Sequence, residues 1–186
     1  MERPSCSAVP LVRVLAVFAL TVLLSGCLSA GAGRGALDAG GDQGINSAIC
    51  MIQPPRGMAV FGTIVSNTSE KSLVITEVSL VEAENFELVG ADIVALDADN
   101  TYALGAGSTE ADGPEAKAAW DRRVAVESFK LPPGQYANIL VTADNGDATV
   151  GSSQGLRIGY EQNLGQFVAA SGTALVLQDK LCVPPG

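Results

Sequence analysis

Alternation of apolar and polar side chains with a period of two is the feature that most constrains the fold of this chain. The stretch 72–81 is rich in β-branched residues and places Val74, Thr76, Val78 and Leu80 on one face. This pattern is typical of a strand with one buried side. Comparable apolar stretches recur along the chain and predict further strands at 58–65, 86–96 with a kink at Gly90, 124–131, 136–143, 156–160 and 167–177.

Turn-forming residues separate these stretches, and no long amphipathic helix interrupts them. The Asp144-Asn145-Gly146-Asp147 segment predicts a hairpin, because Asn-Gly tolerates the positive φ angles of a type I′ turn. Seven or eight short strands between turns predict an all-β domain, a two-sheet immunoglobulin-like β-sandwich with one long irregular loop. A closed barrel is the alternative architecture.

The irregular loop is the stretch 97–123, where glycines and acidic residues replace the alternation. A loop of this length inside a compact domain is often functional or disordered, and 114–123 has the composition of a short helix. Trp120 lies beside Arg122 and Arg123, and these residue types are enriched at binding hot spots. They form a candidate interaction patch. In the alternative interpretation, Trp120 packs at the sandwich edge and the arginines neutralise nearby carboxylates.

The N-terminal segment has the features of an export signal. Arg3 and Arg13 precede an apolar stretch at 14–24, which is shorter than the roughly 20 residues that span a bilayer. Leu24-Ser25-Gly26-Cys27 closes the segment. It resembles the lipobox of bacterial lipoproteins. The resemblance implies a signal peptide at 1–26 and a diacylglyceryl group on the Cys27 thiol. It also implies an extracytoplasmic protein anchored by this lipid to the bacterial cell membrane.

The segment 27–47 is dense in glycine and alanine and has few large apolar side chains. Such a composition buries too little surface to offset the entropy of ordering. We therefore predict a flexible tether at 27–47 and a β-sandwich domain at 48–186.

Four cysteines occur in the chain. Cys6 is removed with the predicted signal peptide and Cys27 carries the lipid, so Cys50 and Cys182 remain. An even pair in an oxidising compartment predicts a disulfide that joins the two ends of the domain. Two buried free thiols are the alternative. A zinc site is less favoured, because two thiolates do not complete a tetrahedral shell and the chain contains no histidine.

The absence of histidine excludes catalytic mechanisms that need an imidazole base. The net charge of −9 argues against nucleic-acid binding. Asp97-Ala98-Asp99-Asn100 resembles the opening of a calcium loop. However, Tyr102 stands at the glycine position and Ser108 at the position of the bidentate glutamate. We predict no catalytic residues, no metal and no cofactor.

These observations predict a non-catalytic binding or accessory module of the cell envelope. Its partners would be the membrane, through the lipid on Cys27, and another envelope protein or wall component. Two alternatives stay open. One is a structural subunit of an envelope complex, and the other is a small-ligand or metal-ion receptor that uses the acidic loop 97–115.

Overall fold

The computed structural model describes residues 35–41, 44–45, 47–55, 58–110 and 113–182. The predicted signal peptide, the lipobox with Cys27, and the predicted tether up to residue 34 lie outside the described residues. The described part of the chain contains thirteen strands and one short helix. The bounds of the strands are β1 Leu37–Asp38, β2 Ser47–Ile52, β3 Ala59–Asn67, β4 Leu73–Val81, β5 Glu87–Leu96, β6 Ala106–Ser108, β7 Val124–Ala125, β8 Phe129–Leu131, β9 Tyr136–Asp144, β10 Val150–Ser153, β11 Gly155–Gln162, β12 Gly165–Ala170 and β13 Thr173–Gln178. The helix, α1, is Pro114–Asp121.

The strands form three open sheets. A six-stranded antiparallel sheet has the order β1-β3-β9-β5-β7, and β6 also pairs with β3. A four-stranded antiparallel sheet has the order β12-β11-β4-β8. A three-stranded sheet has the order β10-β13-β2, in which β13 and β2 run parallel.

One hydrophobic core joins these sheets. The inner face of the six-stranded sheet contributes Phe61 and Ile139, the four-stranded sheet contributes Ile75 and Ile158, and the three-stranded sheet contributes Leu175. All five side chains are fully buried. The six-stranded sheet is therefore one layer and the two smaller sheets form the opposing layer, which confirms the predicted all-β sandwich.

The predicted disulfide between Cys50 and Cys182 is present in the structure. Cys50 lies in β2, opposite Val176 of the parallel neighbour β13, and Cys182 follows soon after β13 ends. Their Cα atoms are 5.7 Å apart, within the usual range for a disulfide. The bond fastens the edge strand β2 to the C-terminal end of the domain.

The predicted hairpin at 144–147 is wrong. The strands on either side of this turn, β9 and β10, lie in different sheets. Gly146 has a positive φ of 55°, but Asn145 is not among the residues with positive φ, as a type I′ turn requires. Instead the Asn145 side-chain amide donates a hydrogen bond of 2.6 Å to the Ala148 carbonyl. The turn therefore carries the chain from one layer to the other.

Two further stretches that were predicted as single strands are each divided between two sheets. The stretch 124–131 contains β7 and β8, and Ser128 between them has a φ of 68°. The stretch 167–177 contains parts of β12 and β13, and the chain turns at Ser171 and Gly172. These divisions and several strands of two to four residues explain why thirteen strands replace the predicted seven or eight.

The folded domain also begins earlier than predicted. β1 pairs with the end of β3, and Leu37 and Ala39 are buried in the core. The part of the predicted tether from residue 35 onward thus includes ordered, buried residues, because the backbone of β1 pairs with β3 and two apolar side chains of this segment enter the core. Among the described residues, no helix has the length and hydrophobicity that a membrane crossing requires.

Removal of the disulfide should lower stability by an amount that depends on the length of the loop it closes. Its cysteines are 132 positions apart, and the chain-entropy model gives about 5 kcal/mol for such a loop at 25 °C. We expect the Cys50→Ser/Cys182→Ser double variant to lose stability of this order in denaturant titrations. Reduced wild-type protein should unfold at about the same denaturant concentration as the double variant. If both unfolded at the midpoint of oxidised wild-type protein, the disulfide would not stabilise the domain.

Candidate functional site

Described residues of the irregular stretch 97–123 pack on the outer face of the six-stranded sheet, and β6 within this stretch pairs with the edge of β3. Val60, Val94 and Leu140 project from β3, β5 and β9 on this face and form a second buried cluster. Leu104 and Trp120 from the irregular stretch pack against it. The stretch is therefore a cover that keeps water away from an apolar patch of the sheet.

The cover approaches the sheet closely at Gly62. The Gly62 amide donates a hydrogen bond of 2.7 Å to the Gly105 carbonyl. The Leu104 amide donates one of 2.8 Å to Oδ1 of Asn138, a buried side chain on β9. A Cβ atom at Gly62 would lie 1.6 Å from the Leu104 carbonyl oxygen. Only glycine allows the two backbones to approach this closely.

The structure brings the predicted patch residues together around α1 and the segment that follows it. The Arg123 guanidinium lies 4.0 Å from the centroid of the Trp120 ring, which is a cation–π contact. Arg123 Nε also lies 3.3 Å from Asp92 Oδ2 on β5, and the guanidinium donates to the Trp120 carbonyl. Trp120 is half-buried against the outer face of the six-stranded sheet and Arg123 pairs with the Asp92 carboxylate, so the alternative interpretation is present in part.

Arg122 has a different environment. It is exposed, and its guanidinium donates a hydrogen bond of 3.2 Å to the backbone carbonyl of Asp99. Beside it lies a cavity of about 350 Å³ between α1 and the start of the irregular stretch. The cavity is lined by Asp99, Asn100, Thr101, Tyr102, Glu115, Ala118 and Arg122. Its walls thus combine an aromatic ring with charges of both signs.

The calcium-loop-like segment makes its own hydrogen bonds. Oδ1 of Asp97 accepts hydrogen bonds of 2.9 Å from the amides of both Asp99 and Asn100. The Asn100 side chain donates to the Ala95 carbonyl. The Asp97 carboxylate therefore stabilises a turn. Within the part of the chain that the structure describes, no group of three or more cysteine, aspartate or glutamate side chains could hold a metal ion.

Sequence reasoning identified Trp120, Arg122 and Arg123 but missed Gly62, Asn138 and Tyr102. An isolated glycine inside a strand pattern is a signal for close backbone approach, and it would have identified Gly62. Asn138 interrupts the apolar run of β9 and is a comparable signal for a buried polar contact. The lipidation site, Cys27, lies outside the described residues.

Comparison with known proteins gives no family assignment. No protein-family model matches the chain, and no curated protein sequence matches it. Among solved structures, the chain is similar to the Vibrio cholerae VesB protease, with a TM-score of 0.37 and 10% sequence identity. The similarity covers 72% of this chain and 30% of the protease. A likeness this weak carries no argument about activity.

Substitution of Gly62 should test whether the cover depends on this close contact. We expect Gly62→Ala to displace the Leu104 segment from the sheet and to cost about 2–3 kcal/mol of stability. Gly107→Ala is the matched control, because a Cβ atom there meets no atom within 4 Å. Hydrogen exchange of the 101–105 amides should rise only in Gly62→Ala, and equal exchange in both variants would show that the contact is not required.

Proposed function

We propose that this protein is a lipid-anchored, extracytoplasmic and non-catalytic β-sandwich of the bacterial cell envelope. It acts as a binding or accessory module for another envelope protein or a wall component. The observation that carries this proposal is the disulfide between Cys50 and Cys182. Disulfides of this structural kind persist in oxidising compartments and are rare in the cytosol, and the lipobox-like segment accounts for how the chain reaches such a compartment.

The proposed binding surface is the cover on the six-stranded sheet, at Tyr102, Arg122 and the Trp120–Arg123 stack. Tyr102 is 39% exposed. Arg122 is also exposed, and both residues line the same cavity. The stack and the Asp92 ion pair restrict the motion of this segment. Rigid aromatic and arginine side chains lose little entropy when a partner binds, so they support a binding role for this surface.

A small-ligand receptor is the second candidate function, and the cavity is the observation that favours it. A volume of about 350 Å³ lies within the range of small-molecule sites. Arg122 would pair with an anionic group of the ligand, Glu115 with a cationic group, and the Tyr102 ring would cover an apolar part. A metabolite with both charges, such as an amino acid, fits this set of side chains.

The mass of the intact protein tests the anchor. We expect protein extracted from membranes to begin at Cys27 and to carry a diacylglyceryl modification. Cys50 and Cys182 should react with an alkylating reagent only after reduction. A Cys27→Ser variant, which lacks the acceptor thiol, should leave the membrane fraction. An unmodified wild-type chain in the soluble fraction would reject the proposed anchor.

Substitution of Arg122 tests the binding surface. Cross-linking in intact cells, followed by affinity purification, should recover partners with wild-type protein and lose them by about tenfold or more with Arg122→Glu, which reverses a charge at the surface. Lys130→Glu is the matched control, because Lys130 is exposed on β8 in the opposing layer. Equal recovery with both variants would place the partner elsewhere. Amino-acid-induced thermal stabilisation that is lost in Arg122→Glu would instead favour the receptor.

A further inference from the structure

We propose that the tip of the β11–β12 hairpin, at Leu164, rests on the lipid bilayer that carries the anchor of this protein. This inference rests on the proposed function, because it needs the lipid on Cys27, and it adds which face of the domain meets the membrane. Its basis is an exposed apolar tip at the end of the domain where the chain from Cys27 enters the fold.

The tip of the hairpin exposes a leucine in an unfavourable backbone conformation. Asn163 and Leu164 join β11 to β12, with φ angles of 51° and 69°. Turns with positive φ at both central residues favour Asn followed by Gly, and a bulky side chain at positive φ is uncommon. Leu164 is also fully exposed. Backbone strain of this kind is a reason to look for a function at the tip.

The apolar surface continues from the tip onto β12. Phe167 is 45% exposed and Val168 is 60% exposed. A Cβ atom at Gly165 would lie 2.8 Å from Cε2 of Phe167, so the missing side chain leaves room for this ring beside the tip. No charged residue occurs between residues 162 and 178. Exposed apolar surface of this kind marks a contact with a protein or a membrane.

The chain enters the domain beside this hairpin. Gly35 is the first described residue, and a Cβ atom there would overlap the Tyr160 hydroxyl group. The Tyr160 ring stacks on the Phe167 ring, with a centroid distance of 5.5 Å and an interplanar angle of 22°. A single side chain, that of Tyr160, therefore separates the entry point from the exposed Phe167.

The loop between β3 and β4 lies at the same end of the domain. The Thr68 amide donates a hydrogen bond of 2.8 Å to the Ala36 carbonyl, next to the entry point. The Gln162 side-chain amide, at the base of the hairpin, donates one of 2.6 Å to Oγ of Ser69. The entry point, this loop and the hairpin base thus form one connected end.

The length of the chain up to Gly35 limits how far this end lies from the anchor. Seven residues, 28–34, separate Cys27 from Gly35. These eight Cα steps span at most about 28 Å, and a glycine-rich coil of this length averages about 16 Å. A strand of eight residues such as β11 is itself about 25 Å long. The bilayer that holds the anchor is therefore nearer to the tip than to the opposite end of β11.

The charges next to the tip are balanced in its own layer. Glu161 lies opposite Val74, and Lys130 lies on the other side of the same residue. Glu70 and Lys71 are adjacent in the loop between β3 and β4. Further carboxylates at this end belong to the six-stranded sheet and its cover, at Asp38, Asp97 and Asp99. The four-stranded layer is thus the side suited to face lipid.

The opposite end of the sandwich is acidic. It includes the loop between β4 and β5, the end of β9 with its turn, and the segment after β13. These parts carry the following charged residues: Glu82, Glu84, Asp144, Asp147, Asp179 and Lys180. Anionic headgroups repel such an end, so charge favours the orientation in which the tip faces the bilayer.

The accessibility of a spin label in vesicles tests the proposal. Full-length lipidated protein would be reconstituted into vesicles of phosphatidylethanolamine and phosphatidylglycerol. With Cys27 acylated and Cys50 paired with Cys182, the cysteine of Leu164→Cys is the one free thiol for a nitroxide. Collisions with oxygen, which concentrates in lipid, are compared with collisions with a water-soluble nickel chelate. Co-flotation of protein with vesicles reports the anchor separately.

We expect the oxygen-to-nickel accessibility ratio to be about threefold or more higher at position 164 than at position 150, because an interfacial apolar group enters the headgroup–acyl boundary. Val150→Cys is the matched control. Val150 is a 45% exposed apolar residue opposite Gln178, at the acidic end of the domain.

A charge at the tip tests whether the leucine side chain makes the contact. With the nitroxide on Asn163→Cys, Leu164→Glu should return the ratio to the value at position 150, because a carboxylate is costly at this depth. Val150→Glu is the matched control and should leave the label at position 163 unchanged. Thermal unfolding should show that each variant is folded.

The outcomes separate this proposal from the anchor. Protein that floats with vesicles but has equal ratios at positions 164 and 150 would keep the anchor and overturn the contact. A label at position 164 that neither reagent reaches would show a protein partner at the tip and would also overturn it. Protein that does not float would reject the anchor and this proposal together.

Discussion

The antiparallel pairing of β3 with β9 is the interaction on which the rest of the sandwich depends. These two strands are neighbours in the interior of the six-stranded sheet, and both of their faces are buried along most of their length. On the inner face, side chains such as Phe61 and Ile139 contact the opposing layer. On the outer face, Val60 and Leu140 would meet water if the stretch 97–123 were not packed above them. A sheet apolar on both faces therefore explains the presence of a long irregular cover.

Polar contacts help to hold the part of the cover that precedes β6, because this part has little regular structure of its own. Buried backbone groups need hydrogen-bond partners, and the sheet supplies them through the Gly62 amide and the Asn138 side chain. The missing side chain of Gly62 allows the two backbones to approach, and the Asn138 side chain provides an acceptor among apolar neighbours. The same attachment positions Trp120 and the adjacent cavity, so the geometry of the candidate site follows from the packing of the sheet.

Alternation in the sequence predicted the long strands well and the connections poorly. The stretch 72–81 differs by one residue from β4, and the kink at Gly90 corresponds to a register shift in β5. Strands of two or three residues, such as β1 and β6, have no periodicity to detect, because they exist only through pairing with the longer strand β3. The turn at 144–147 was wrongly predicted to be a hairpin. The Asn-Gly sequence indicates only which backbone angles the turn can adopt, whereas long-range pairing decides in which sheet the next strand lies. The disulfide was predictable, because only two of the four cysteines remain after the predicted signal peptide and lipidation site are set aside, and two cysteines allow one pairing.

The candidate site shows the same division between local and distant information. The three patch residues are neighbours in the sequence, at Trp120, Arg122 and Arg123. Their proximity could therefore be predicted without knowledge of the fold. The contacts that give each one its environment come from Asp92, Asp99 and the second cluster, and those depend on the fold.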